Sequence, residues 1–211
     1  MIYGGTKMTV TAIVPFDKKR DKVFVEGEFA FVLYKGEVRS YQIRENSEIK
    51  EAYYEEIMTK LLPRRAKLRA LDLLTARSYT EARLFQKLLD GGYPESIAQE
   101  AMNYVKSYGY VDDSFYASEY IFYHAKGMSS RQMEQKLLQR GISQEVIRQS
   151  LAEYSEREGG IDEITQIRNY LEKKHYQKDH SDEKEYRKLV GALMRKGYKF
   201  ENISEAFDSF T

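Results

Sequence analysis

One pattern recurs three times along this chain of 211 residues, and it limits the fold more than any single residue does. Leu84-xxx-Leu88-Leu89-xx-Gly92-Tyr93, Met133-xxx-Leu137-Leu138-xx-Gly141-Ile142 and Leu189-xxx-Leu193-Met194-xx-Gly197-Tyr198 share one frame, with Met102, Leu151 and Phe207 standing ten residues past the respective glycines. A helix commonly stops on a residue in the left-handed conformation, which glycine adopts without a Cβ clash, and the apolar residue after it folds back onto the last turn. The glycines lie 49 and 56 residues apart. A period of that size marks one supersecondary unit, stacked on its neighbours to bury a shared core. Such proteins offer an extended surface to a large partner rather than a pocket to a small substrate.

Composition fits thin helical modules better than one thick core, at 42% hydrophobic and 32% charged residues. The net charge of +1 gives no global field that would draw the chain to nucleic acid or an acidic membrane, so any basic footprint must be local. With no cysteine, disulfides, thiolate catalysis and cysteine-ligated zinc are excluded. No run approaches 18 apolar residues and no signal-type apolar segment opens the chain, so a cytoplasmic protein without a membrane span is expected.

Residues 1–46 read differently from the rest. Thr9–Val14, Lys22–Val25 and Glu28–Leu33 are β-branched or aromatic runs separated by turn segments, and the alternation of Val38 to Ile43 suggests a fourth strand. An antiparallel meander this small is stable only if it packs on the helices next to it in the chain. From Ser47 the period becomes helical. Ser47 is the expected N-cap of a connecting helix over 47–62, and Pro63 ends that helix or opens the next. Three repeats of three helices come after it, over 63–111, 112–159 and 160–211. Thr80, Asp112 or Asp113, Ser129 and Ser143 are placed to cap helices, and 175–182 is a polar insertion.

The candidate chemistry is sparse. His175 and His180, with Asp179 and Asp182, lack the i, i+3 or i, i+4 spacing that directs two ligands to one metal. No phosphate-binding glycine loop and no nucleophile–base pair stands out, so neither catalytic residues nor a cofactor are expected. Basic residues are more telling. Arg64, Arg65, Lys67 and Arg69 crowd the front of a helix, against its dipole, so helix stability does not explain them. Second helices of the later repeats lean positive, through Arg131, Lys136 and Arg140 and through Arg195 and Lys196, while third helices lean acidic. A solvated, salt-bridged face accounts for such runs as readily as a partner surface does. Helix, glycine turn, helix also suggests a helix-turn-helix, but its second helix would bring carboxylates to phosphates, which disfavours operator-type reading. Of the eighteen tyrosines, which could stack on bases, most fall at packing positions.

Several stretches resemble the RecX family of bacterial regulatory proteins, modulators of the RecA recombinase. They are Arg69-Ala70-Leu71-Asp72-Leu73-Leu74 leading to Tyr79-Thr80-Glu81, Gly109-Tyr110-Val111-Asp112-Asp113, Gly127-Met128-Ser129-Ser130-Arg131 through Gln139-Arg140-Gly141-Ile142-Ser143, and Leu193-Met194-Arg195-Lys196-Gly197-Tyr198. Their order and spacing, rather than any one of them, carry the likeness, which runs from about Met8 to the C-terminus. The resemblance implies a mainly α fold of three tandem three-helix repeats in an elongated, curved array, here preceded by the small β segment. It also implies binding to the RecA–DNA filament and modulation, usually inhibition, of ATP hydrolysis, strand exchange and repressor cleavage. The family offers no catalytic motif to carry over, so Arg64, Arg65, Lys67, Arg69, Arg131, Lys136, Arg140, Arg195 and Lys196 are expected as contacts on charge alone. A monomer is expected, and the alternative is a DNA-binding protein acting directly on single- or double-stranded DNA.

Overall fold

The computed structural model describes residues 8–178 and 182–210. It is mostly helical with one small sheet, and it divides into two compact units, one ending at Val111 and the other starting at Asp112.

In the first unit, β1 (Thr9–Pro15), β2 (Arg20–Val25) and β3 (Glu28–Tyr34) form the antiparallel meander, and the sheet order is β3-β2-β1-β4. Strand alternation puts Val10, Val23, Phe31 and Leu33 into one core with Ile57, Leu62, Ala66, Ala70, Leu84 and Leu88 of the later helices. The sheet therefore survives by sharing a core, as its size requires.

Two expectations for 38–62 fail. Val38 to Ile43 is not a strand. Residues Lys35–Ser40 form α1, begun by the Glu37 carboxylate, which accepts the Tyr34 N–H at 2.9 Å. That helix stops at Gln42 (φ 54°), and the Ile43 N–H returns to the Val38 carbonyl at 2.9 Å. Val38 and Ile43 thus meet as a helix-end pair, which alternation mimics over so short a run. Ser47 caps no helix either. Ser47–Glu48 is β4, paired with Thr9 and Val10 of β1, and the Ser47 hydroxyl donates to the Arg44 carbonyl at 2.6 Å. The helix begins three residues later as α2 (Glu51–Glu56), passes through a π-helical turn (Ile57–Leu61) and continues as α3 (Leu62–Ala76). Pro63 supplies the cause: it has no N–H to give residue 59, and its ring crowds that carbonyl, so the turn before it widens rather than breaking the helix. α4 (Glu81–Asp90) and α5 (Glu95–Ser107) complete this unit.

The second unit holds α6 (Asp113–His124), α7 (Ser130–Leu138), α8 (Gln144–Glu158), α9 (Glu163–Lys173), α10 (Glu183–Arg195) and α11 (Phe200–Asp208). Ala117, Ile121, Met133, Leu137, Ile142 and Ile147 form one core, and Ile167, Leu171, Leu193, Ile203 and Phe207 another. A polar joint ties them. The buried Glu163 carboxylate accepts the Ser130 N–H at 2.9 Å and the Asn202 amide at 2.9 Å. Gln166 donates to the Ala125 carbonyl and accepts the Tyr198 hydroxyl, and the Ser129 hydroxyl donates to the Lys196 carbonyl at 2.6 Å.

Thr80, Asp112, Ser129 and Ser143 all cap helices as expected, each accepting an N–H three residues on. The three pattern glycines share one geometry, with φ of 85°, 85° and 87° at Gly92, Gly141 and Gly197. The N–H groups of Tyr93, Ile142 and Tyr198 return to the carbonyls of Leu88, Leu137 and Leu193 at 3.2–3.3 Å, the double closure of a glycine-stopped helix. His175 closes α9 the same way at φ 55°, with Tyr176 bonding back to Leu171, and Asp182 caps α10. The ends of the polar insertion thus have structural duties, while Asp179 and His180 lie outside the described residues.

Gly92 does more than turn the chain. A Cβ placed there would stand 2.4 Å from Val32 Cγ2, whereas one on Gly109 (φ 68°) would meet nothing within 4 Å. Alanine at Gly109 should cost only the left-handed backbone, about 1–2 kcal/mol. Alanine at Gly92 should add about 1–3 kcal/mol of overpacking against the sheet. Urea unfolding of the two variants tests this; equal losses would refute a packing role for Gly92.

Candidate functional site

The four cations at the front of α3 do not form one patch. Arg65 and Arg69, one helical turn apart, lie on the side toward the sheet, while Lys67 lies toward α5 and Arg64 points to solvent. Arg65 is ion-paired with Glu37 of α1 and its guanidinium stacks 4.9 Å from the Tyr34 ring centroid. The Lys67 ammonium is 2.7 Å from Glu100 and 5.4 Å from the Tyr104 ring centroid. Part of the acidity of the third helix therefore neutralises a cation of the first, within one repeat. Glu81 of α4 and Lys106 of α5 form another pair, with the cation on the third helix.

Two residues whose sequence context reads as mere turn join Arg65 and Arg69. Lys19 and Arg20, in the β1–β2 turn, line the same open cleft of about 460 Å³ with Tyr34, Asp72 and Tyr93. The turn is built by Asp17, whose carboxylate accepts the N–H groups of Lys19 at 2.8 Å and Arg20 at 2.9 Å. Those bonds, the one from Lys19 first, hold the Asp17 carboxyl below its ordinary range. Arg20 also bonds the other Asp17 oxygen at 2.8 Å, stacks 4.6 Å from the Phe16 centroid and donates to the Gly91 carbonyl at 3.0 Å. The hairpin is thereby fastened to the glycine turn of the first repeat. Burial pushes the phenol of Tyr93 up, and the positive charges of Arg65, Arg20 and Arg69, which line the same cleft, oppose that shift. Three consecutive cations at 18–20 were the only local signal, and nothing in sequence places them opposite α3.

The second unit divides its cations likewise. Arg131 is exposed in the first turn of α7 and abuts the Lys196–Gly197 turn, because Ser129 is bonded to Lys196. Lys196 reaches over Tyr170, at 5.4 Å from the ring centroid, and Arg195 is exposed. Arg140 instead stacks on Tyr120 (4.3 Å) and Tyr116 (5.7 Å), and with Lys136 it faces His124. Arg131 and Lys196 thus share one surface, and Lys136 and Arg140 another. Not all tyrosines pack inside. Tyr108 and Tyr110 are 60% and 55% exposed, with rings 5.7 Å apart and nearly parallel at 14°. Among the described residues, no three histidine or acidic side chains are grouped to hold a metal.

Comparison with known proteins picks out the same helices. Residues 66–104 match the family model of the first three-helix domain of RecX, and 161–207 match that of its third. A "Regulatory protein RecX" from Caldanaerobacter subterraneus subsp. tengcongensis is 30% identical over 203 residues, covering 95% of this chain and 99% of that protein. One from Vibrio campbellii is 33% identical over 138 residues, 65% of this chain and 86% of its own length. The crystal structure of a regulatory protein RecX superposes with a TM-score of 0.63 at 20% identity, covering 96% of this chain and all of that one. A second, from Lactobacillus salivarius, gives 0.59 at 18% identity over 70% of this chain and 95% of its own. Both structures share the fold.

The cation pair beside His124 has a measurable consequence. Burial first, then Arg140 and Lys136, pushes the imidazole below its ordinary value of 6.5. The folded state therefore holds the neutral ring while the unfolded chain takes up the proton more readily. Stability is full above about pH 6.5 and falls as pH drops toward the folded value. Between about pH 7.5 and 5.5 the urea midpoint of His124→Gln should fall less than that of the parent. An identical fall in both proteins would exclude His124 as the source.

Proposed function

This chain belongs to the RecX family of regulatory proteins, and from that premise we propose that it binds the RecA recombinase and the RecA–DNA filament. Bound there, it lowers the ATPase, strand-exchange and coprotease activities that serve recombination, DNA repair and the SOS response. It does so in the cytoplasm as a monomer and by occupancy, without catalysis of its own. The carrying observation is the end-to-end match to a named regulatory protein, with the first and third three-helix domains in their order. The surface chemistry supports it. Arg69 and Arg131 stand exposed on separate units, so a long repetitive partner can be gripped at more than one place. Two linked weak contacts reach an affinity neither has alone. No described helix is long and apolar enough to cross a membrane.

The exposed Arg64, Arg131, Lys136 and Arg195 favour one second reading, direct binding to single- or double-stranded DNA. It is separable by salt, since each phosphate neutralised adds about −0.7 to −0.9 to the log–log slope of affinity against salt.

Added in near-stoichiometric amount, the protein should reduce ATP hydrolysis by RecA on single-stranded DNA. Double charge reversal at Arg131 and Lys196 should weaken that reduction about tenfold or more, in keeping with the loss of charged contacts at a desolvated interface. Hydrolysis that never changes across the titration would sink the proposal. Steep, salt-sensitive binding to naked DNA with RecA activity untouched would favour the second reading instead.

A further inference from the structure

The cleft of the first unit is built as a socket, and part of its donor set is unspent. Its lining holds four cations, Lys19, Arg20, Arg65 and Arg69, against Asp17 and Asp72, and Glu37 pairs with Arg65, which leaves a surplus of one positive charge. Arg20 and Arg65 are each fixed by a carboxylate and an aromatic ring. Lys19 and Arg69 have no ion-pair partner among the described residues, and the Tyr93 hydroxyl has no hydrogen-bond acceptor there. Two exposed cations without such a partner line one concave site beside two guanidiniums already fixed in place, a setting that suits an oxyanion.

We propose that this cleft receives a carboxylate side chain, next to an apolar one, from an acidic segment of a protein partner. Three features select that occupant over a nucleic-acid strand. Phosphates recur along a strand, and the proteins that bind one string their cations along a groove; here the four cations line a single cleft. Asp17 and Asp72 stand in the lining, where the next phosphates of a strand would meet them. The lip carries Leu68 and Tyr34, 54% and 44% exposed, which suit a neighbouring aliphatic side chain. Arg20 ties the site together across the fold, since it bridges the β1–β2 turn to the Gly91 carbonyl. The N-terminal sheet thereby becomes half of a binding site and not merely a cover for the first repeat. The proposal deepens the protein-partner reading above and rests on it.

The test is a titration of the full-length 15N-labelled chain, without recombinase, monitored by NMR. Three probes are compared: a blocked hexapeptide alternating aspartate and leucine, the same peptide with asparagine for aspartate, and a ten-residue oligothymidylate. The aspartate peptide should shift the side-chain Nε–Hε signals of Arg65 and Arg69 and the amides of Gly91 and Tyr93. In the double variant Lys19→Gln, Arg69→Gln its affinity should fall about tenfold, the loss of charge-assisted hydrogen bonds. Equal shifts with the asparagine peptide would reduce the site to an apolar contact and overturn the proposal. Shifts with oligothymidylate alone would make it a nucleic-acid site, and no shifts with any probe would empty it; either overturns the proposal. Because no recombinase is present, a negative result here beside a lowered RecA ATPase retires the socket alone. A positive result beside an unchanged RecA ATPase retires the RecA reading and leaves the socket standing.

Discussion

At the three joints between the second and third helices of the repeats, the chain turns through a left-handed glycine. The closure is the same at Gly92, Gly141 and Gly197, and it sets the direction of α5, α8 and α11. Two of these glycines are used twice. Because they lack a Cβ, a second element can press against the turn: Val32 of the sheet at Gly92, and the Ser129 hydroxyl and Arg131 of the preceding repeat at Gly197. The same missing atom that permits the turn also permits the packing of a neighbour on it. Arg20 and Arg131 both take their places from these two approaches. Arg20 reaches the carbonyl of Gly91, and Arg131 stands against Gly197.

Electrostatics in this chain is largely local. The segregation of basic second helices from acidic third helices looks in sequence like two opposed surfaces. In the first unit charges pair within the repeat, Lys67 of its first helix with Glu100 of the third, and Lys106 of the third with Glu81 of the second. Such exposed pairs add little stability, typically about 0–1 kcal/mol, but they remove cations from the pool available to a partner. Stacking occupies others: the Arg140 guanidinium lies over Tyr120. The residues left over are fewer than the count of Lys and Arg suggests.

Periodicity made the helices legible because each obeys a local rule. Thr80, Asp112, Ser129 and Ser143 cap where a short polar side chain precedes an apolar stripe, and the glycines stop helices where a left-handed residue is needed. The meander was legible from β-branched runs. What escaped was decided by partners far along the chain. Ser47 has the chemistry of an N-cap, yet β1 claims it as a strand. Val38 and Ile43 alternate like a strand, yet Glu37 turns them into a helix end. The cleft was half legible. Arg65 and Arg69 stand out in sequence as a cluster of charges, although the helix runs unbroken from Glu51 and so they do not sit at its N-terminal end, but Lys19 and Arg20 read as an ordinary turn until the fold carries them across to Gly91. Long-range juxtaposition is what a single sequence encodes least directly.

The carboxylate of Glu163 has one further consequence. It belongs to α9, yet one of its oxygens completes the first turn of α7, and the other holds Asn202 of α11. A repeat protein in which neighbours meet only through apolar surface can lose its last module and leave the rest intact, each module contributing its own term. Here the start of one module is finished by a charge borrowed from the next, and losing that module would strand a backbone N–H that the helix itself cannot satisfy. The six described helices after Val111 should therefore melt as one cooperative block rather than fray from the C-terminus, and Arg131 and Lys196, which abut through the Ser129 bond, should lose their arrangement only with the whole block.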